Sequence, residues 1–196
     1  MNAAIRAVAR SCAYYNLDCI GIYRGYQGLI ENDFELLPAR SVRNVINRGG
    51  TFLKSARSQE FRTEEGRKKA FDNLQNAGID ALVVIGGDGT FTGGMKLQEE
   101  HGFPVIGIPG TIDNDINGTD YCIGYDTALN TVVEAIDKIR DTASSHNRLF
   151  LVEVMGRDAG DIALNSGIGA GAEEILIPEE DKGIEQMLFS LERSRK

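Results

Sequence analysis

The sequence predicts a layered α/β fold built on a mostly parallel sheet, and two observations carry that expectation. The apolar runs LDCIGIY (17–23), DALVVIGG (80–87), FPVIGIPG (103–110), RLFLVEVMG (148–156) and EEILIPE (173–179) are mostly continuous. Strands read this way when helices cover both of their faces. Between the runs lie helical patterns at 1–16, 40–48, 63–77, 91–100, 126–142, 160–171 and 183–194. This alternation specifies right-handed β-α-β crossovers.

Taken in order, the chain opens directly in the helical MNAAIRAVARS, with no strand before it. The 63–77 helix has the clearest start, Thr63 followed by Glu64 and Glu65, acids that complement the helix dipole. Gly78 is its stop. The chain closes on ERSRK, another helix end, where a strand is expected next. Both ends therefore read as cut, and the sequence is expected to be a piece of a longer polypeptide.

The composition narrows the function. Of 196 residues, 42% are hydrophobic and 26% charged, which is an ordinary soluble balance. A net charge of -8 argues against nucleic-acid or membrane-surface partners, which need a basic face. A bound anion must then be held locally, by particular Arg side chains and backbone N–H groups. The three cysteines Cys12, Cys19 and Cys122 lack metal-ligand spacing and read as reduced thiols in a cytoplasm. There is no signal-peptide pattern, and no run of about 18 apolar residues that could cross a membrane.

Three chemistry-bearing loops follow three predicted strands: GGDGTFTGG (86–94), PGTIDNDINGTD (109–120) and MGRDAGD (155–161). Loops at the carboxyl ends of parallel strands face one crevice. Gly86, Gly87 and Gly89 let phosphate oxygens approach the backbone, while Asp88, an anion, makes sense there as a Mg²⁺ ligand. The plainer alternative is a turn in which Asp88 caps the next helix. In the second loop Asp113 and Asp115 repel each other without a basic neighbour in sequence. A metal-bound phosphate would explain both, with Asp115 in the metal's shell and Asp113 taking the proton of an attacking hydroxyl. Thr111 adds a hydroxyl for the transferring group. The alternative there is an Asx-rich surface turn. Arg157, Arg57 and Arg148 are cations in or near loops. His101 and His146 read as structural. Tyr14, Tyr15 and the apolar residues of the C-terminal helix read as core.

GGDGT, PGTIDND and MGRDAGD, in this order and spacing, resemble the bacterial type of 6-phosphofructokinase. The similarity extends through MNAAIRAVAR, INRGGTFLKSAR, IGYDTALNTVVEAIDKIRDTASSH and GAEE to essentially the whole chain. Diacylglycerol and NAD kinases share only the first motif. The resemblance implies a three-layer αβα, Rossmann-like sheet in a two-domain phosphofructokinase architecture. Residues 1–124 would be the ATP-binding domain without its first strand, and 125–196 the truncated start of the fructose 6-phosphate and effector domain.

The implied reaction moves the ATP γ-phosphoryl group to the 1-hydroxyl of fructose 6-phosphate in cytoplasmic glycolysis. Asp113 matches the general base, with Thr111 and Arg157 as catalytic companions. Arg57, Ser58, Gly87, Asp88, Gly89 and Thr90 match nucleotide contacts. Thr111, Ile112, Asp113, Arg148, Met155, Gly156 and Arg157 match sugar-phosphate contacts, Arg148 reaching a neighbouring subunit of a tetramer. Asp88 and Asp115 would hold Mg²⁺. Arg6, Arg10, Arg140, Gly171 and Glu173 match the effector site for ADP or phosphoenolpyruvate, although Ala39 and Asn44 depart from the family's effector pattern. Pyrophosphate-dependent relatives carry Asp at the position of Gly89 and Lys at that of Gly110, so ATP is the expected donor. The alternatives are a pyrophosphate-dependent enzyme or an inactive nucleotide-binding fragment.

Overall fold

The computed structural model describes residues 1–146, 148–180 and 182–194. The chain divides into two compact units, Met1–Gly110 and Thr111–Lys196. The first contains α1 (Asn2–Tyr14), β1 (Ile20–Ile22), α2 (Tyr26–Glu31), β2 (Phe34–Leu36), a 3-10 turn (Glu60–Arg62), α3 (Glu64–Asn76), β3 (Leu82–Gly86), α4 (Asp88–His101) and β4 (Val105–Pro109). The second contains α5 (Tyr125–His146), α6 (Asp161–Ala170) and α7 (Gly183–Ser194).

The α/β class and the parallel pairing hold. β3 and β4 run parallel, with Leu82 opposite Val105 and Gly86 opposite Pro109. Because strand side chains alternate in direction, Leu82 and Val84 point one way and Ile85 the other. Leu82 and Val84 enter a core with Leu29 and Ile30 of α2, Ala70 and Leu74 of α3, and Leu97 of α4. Ile85 packs on a second core made by Ile5 and Ala9 of α1 with Leu37, Val42 and Val45. Helices thus cover one face of β3, and α1 meets the other at Ile85 while Val83 stays exposed. Thr63 caps α3 as expected, its Oγ1 accepting the Gly66 N–H at 3.1 Å.

Several elements differ from expectation, each for a local reason. β1 pairs antiparallel with β2, an element the sequence hid because FEL is short and mixed. Segment 40–48 forms successive turns rather than a helix: Ser41, Arg43 and Arg48 each donate to a carbonyl three residues back, and Asn44 is left-handed at φ 59°. Helix α4 begins at Asp88, three residues before the expected 91, so the glycine motif is a strand-to-helix turn. Residues 148–156 form no strand, and 173–179 make only the bridge Ile177–Glu180. A strand needs a neighbour's N–H and C=O groups, and among the described residues these runs find none in a ladder. Leu151 is accordingly 82% exposed.

Tyr14 and Tyr15 are not core either. They are 80% and 69% exposed and meet edge to face at the end of α1. Leu188 and Phe189 of α7 are also exposed rather than core. His101 ends α4 and stacks on Phe71 at 4.6 Å, in keeping with a structural role. His146 ends α5, and its side chain lies outside the described residues. No described helix is long and apolar enough to cross a membrane.

Candidate active site

In the first unit, β3 runs into Gly86, and Gly87 is the N-cap of α4. Gly86 is sterically required: a Cβ there would stand 2.4 Å from Thr90 Oγ1. The Gly87 carbonyl accepts the N–H groups of Thr90 and Phe91 at 3.0 and 3.1 Å, closing the first turn. Asp88 and Gly89 are exposed at the positive end of α4. A Cβ on Gly89 would meet nothing within 4 Å, so the protein's own packing does not demand glycine there. A helix N-terminus of this kind offers backbone N–H groups and a favourable field to an anion.

Arg57 is exposed, and the Ser58 hydroxyl accepts the Phe61 N–H at 3.2 Å. Tyr26 connects this stretch to the turn. Its ring stacks on Phe61 with centroids 3.9 Å apart, and its hydroxyl donates to the Thr90 carbonyl at 2.5 Å. Burial pushes the Tyr26 phenol far above its usual range. It therefore stays a hydrogen-bond donor. Sequence reasoning missed Tyr26. The signal was a Tyr bracketed by Gly25 and Gly28, where a Cβ on Gly28 would strike the Tyr23 carbonyl.

In the second unit, residues 111–115 form an irregular loop. The Asp113 N–H donates to Thr111 Oγ1 at 3.2 Å. Asn114 is left-handed at φ 56°. Its Oδ1 accepts the Cys122 N–H at 2.8 Å, and its Nδ2 donates to the Asp120 carbonyl at 3.2 Å. These bonds reach six and eight residues along the chain, so Asn114 ties the loop to residues 120 and 122 rather than closing a local Asx turn on its own backbone. Asp113 remains half-buried and Asp115 exposed.

Burial is the main cause that raises the Asp113 carboxyl above its ordinary value, with repulsion from Asp115 next, Arg157 opposing, and Asp158 adding to the rise. The structure thus brings Asp113, Asp115 and Arg157 into one electrostatic group. Arg157 is left-handed at φ 57° and weakly paired with Asp158 at 3.4 Å, its side chain 70% exposed. Gly156 before it has φ 151°, and a Cβ there would come 2.5 Å from the Ala159 carbonyl. Ile112 is half-buried; Met155 and Arg148 are exposed.

Two of the effector arginines have structural tasks of their own. Arg6 donates to the Val42 carbonyl at 3.1 Å, and Arg10 is exposed on the same helix. Arg140 donates to the carbonyls of Ala170 and Gly171, capping the C-terminus of α6. Glu173 is exposed.

The family model for phosphofructokinase matches residues 1–196. The chain belongs to the phosphofructokinase family. Over 195 residues the chain is 58% identical to an ATP-dependent 6-phosphofructokinase of Halalkalibacterium halodurans, covering 100% of the chain and 61% of that protein. It is 60% identical over 193 residues to one from Bacillus pumilus, covering 98% of the chain and 60% of the relative. The chain thus spans about three fifths of the length of the curated relatives it matches. Phosphofructokinase from Saccharomyces cerevisiae superimposes with a TM-score of 0.91 at 39% identity, over 100% of this chain and 30% of that one. A pyrophosphate-dependent phosphofructokinase from Marinobacter aquaeolei shares the fold, with a TM-score of 0.79 at 23% identity, covering 98% of this chain and 53% of that one.

Proposed function

We propose that this chain is part of an enzyme that transfers the γ-phosphoryl group of ATP to the 1-hydroxyl of D-fructose 6-phosphate, the committed step of glycolysis. The named activity of its relatives supports this reading, and Asp113 is the observation that carries it. A half-buried carboxyl held above its ordinary value by burial and Asp115 has a raised affinity for a proton. That is what a general base needs. It takes the proton of the sugar hydroxyl as the oxygen attacks phosphorus. Thr111 Oγ1 accepts from the Asp113 backbone, which leaves its own O–H free to donate to the transferring phosphoryl group. Arg157 lies near enough to Asp113 to act on its charge, and supplies a cation for the sugar phosphate or the transition state.

Asp88, Gly87, Gly89 and Thr90, with Arg57 and Ser58, form the nucleotide side. Ile112, Met155, Gly156 and Arg148 complete the sugar side, Arg148 reaching a neighbouring subunit of a homotetramer. In functional terms, residues 1–124 are the ATP domain and 125–196 begin the sugar-phosphate domain.

Each carboxylate by itself is of the kind that Mg²⁺ takes. Asp88 and Asp115 are exposed hard-oxygen ligands, and the described residues contain no cluster of three His, Cys, Asp or Glu that would form an all-protein cage. Mg²⁺ is commonly held by one or two carboxylates together with water and substrate phosphates. When bound it neutralises charge on those phosphates. The open space at Gly89 supports ATP over pyrophosphate. At Gly110 a Cβ would already press on Ile85 Cγ2 at 3.1 Å, which disfavours a lysine. ADP or phosphoenolpyruvate is the proposed effector at Arg6, Arg10, Arg140, Gly171 and Glu173, and the compartment is the cytoplasm.

Asp113→Ser in the natural polypeptide tests the base. Turnover should fall by about 10²–10⁴ with nucleotide binding retained. Unchanged turnover would remove Asp113 from this role. Coupled assays with ATP and, separately, with pyrophosphate test the donor.

A further inference from the structure

Helix α1 presents Ile5 and Ala9 to the core it shares with Leu37, Val42 and Val45. Cys12 lies one turn beyond Ala9, so it falls on the same face of the helix. The chain then reverses: Leu17 N–H donates to the Cys12 carbonyl at 2.8 Å, and Asn16 takes the left-handed conformation at φ 55°. This brings Cys19 back against that same core, its carbonyl accepting the Leu37 N–H at 2.7 Å. Cys12, on the core face of α1, and Cys19, packed on that core, thus stand on the two sides of one turn, where each acts on the other's charge. Both are half-buried and free, and neither has a part in phosphoryl transfer.

We propose that Cys12 and Cys19 are a redox-modifiable dithiol that a small-molecule disulfide converts to an intramolecular disulfide. The Cys12 thiolate attacks one sulfur of the small disulfide and expels a thiolate, giving a mixed disulfide. Cys19 then gives up its proton and attacks the Cys12 sulfur, expelling the second small thiol. Two protein thiols are oxidised and one disulfide is reduced to two thiols. Burial, together with the neighbouring Cys12, pushes the Cys19 thiol up to about 11. Cys19 is therefore the late, resolving partner rather than the first nucleophile. The cross-link ties the end of α1, the helix that carries Arg6 and Arg10, to the entry of β1.

Oxidised glutathione is the probe. Both cysteines fall in a single tryptic peptide, residues 11–24, and Cys122 lies in another. After equilibration in glutathione buffers and alkylation, peptide 11–24 should lose the mass of two hydrogens and resist alkylation, while the Cys122 peptide still alkylates. Cys19→Ser should stop at one glutathione on Cys12. Because closely spaced cysteines also close in an unfolded chain, the same titration in urea sets the reference. Folding should lower the glutathione disulfide ratio needed for half-oxidation by about 10-fold. Glutathione on both residues, a link to Cys122, or easier closure in urea than in the folded protein would overturn the proposal.

Discussion

The two acid-bearing turns of this chain solve opposite problems. Asp88 stands in the first turn of α4, where the helix dipole favours a negative charge, on a turn locked by Gly86, Thr90 and the Tyr26 hydroxyl. Asp113 stands in an irregular loop, half-buried beside the like charge of Asp115, where burial and repulsion raise its carboxyl. One environment sets a carboxylate in a favourable field at a helix start. The other makes a carboxylate ready to receive a proton. Residue type alone does not separate them; their surroundings do.

That contrast is broken most severely by releasing the Asp113 loop. Asn114→Ala removes both side-chain hydrogen bonds, leaves the Cys122 N–H without its partner, and places alanine where φ is 56°. An ångström-scale displacement of a catalytic group costs about 10²-fold in rate, so kcat should fall by that order while nucleotide affinity holds. Asn114→Gly tolerates the backbone angle but still lacks the clamp. Equal losses in the two variants would assign the effect to the hydrogen bonds. A smaller effect is expected in the first unit: Gly89→Asp has room for its Cβ, so the fold should persist. Its added charge should raise the KM for ATP by about 10-fold, on the scale of one like-charge contact screened almost as in bulk water. An unfolded variant, or normal ATP kinetics, would defeat the claim that Gly89 serves the ligand rather than the packing.

What could be read from the sequence follows where the physics is local. Thr63 and its following acids marked a helix start because capping needs only neighbouring residues. The 80–87 and 103–110 runs became β3 and β4 because each has a parallel partner and packs side chains into the core it shares with Leu97 of α4. The 148–156 run has the same composition but no partner in a ladder among the described residues, and it stays irregular. Pairing is non-local, so composition alone could not distinguish these cases. The site divided in the same way. Motif spacing marked Asp88, Thr111, Asp113 and Arg157. The Tyr26 contact spans sixty-four residues and the Asn114 bond to the Cys122 N–H spans eight, so the supporting side chains emerged only from the structure.

The smallest effect carries the sharpest test, because the two carboxylates should respond with opposite signs. A carboxyl raised in the folded state contributes stability that is fully present below the ordinary carboxyl range and is lost as pH rises through its folded value. At neutral pH the ionised Asp113 is therefore a net cost to folding. Asp113→Asn should raise stability at about pH 7 by less than about 1 kcal/mol, because the group is only partly buried, and the gain should vanish near pH 3. Asp88→Asn removes a charge from the favourable end of α4 and should lower stability at about pH 7 by ~0.3–1 kcal/mol. The sign of each change at neutral pH is the decisive reading. A destabilised Asp113→Asn would mean that Arg157 outweighs burial and Asp115 together, leaving Asp113 a paired anion with no special affinity for a proton.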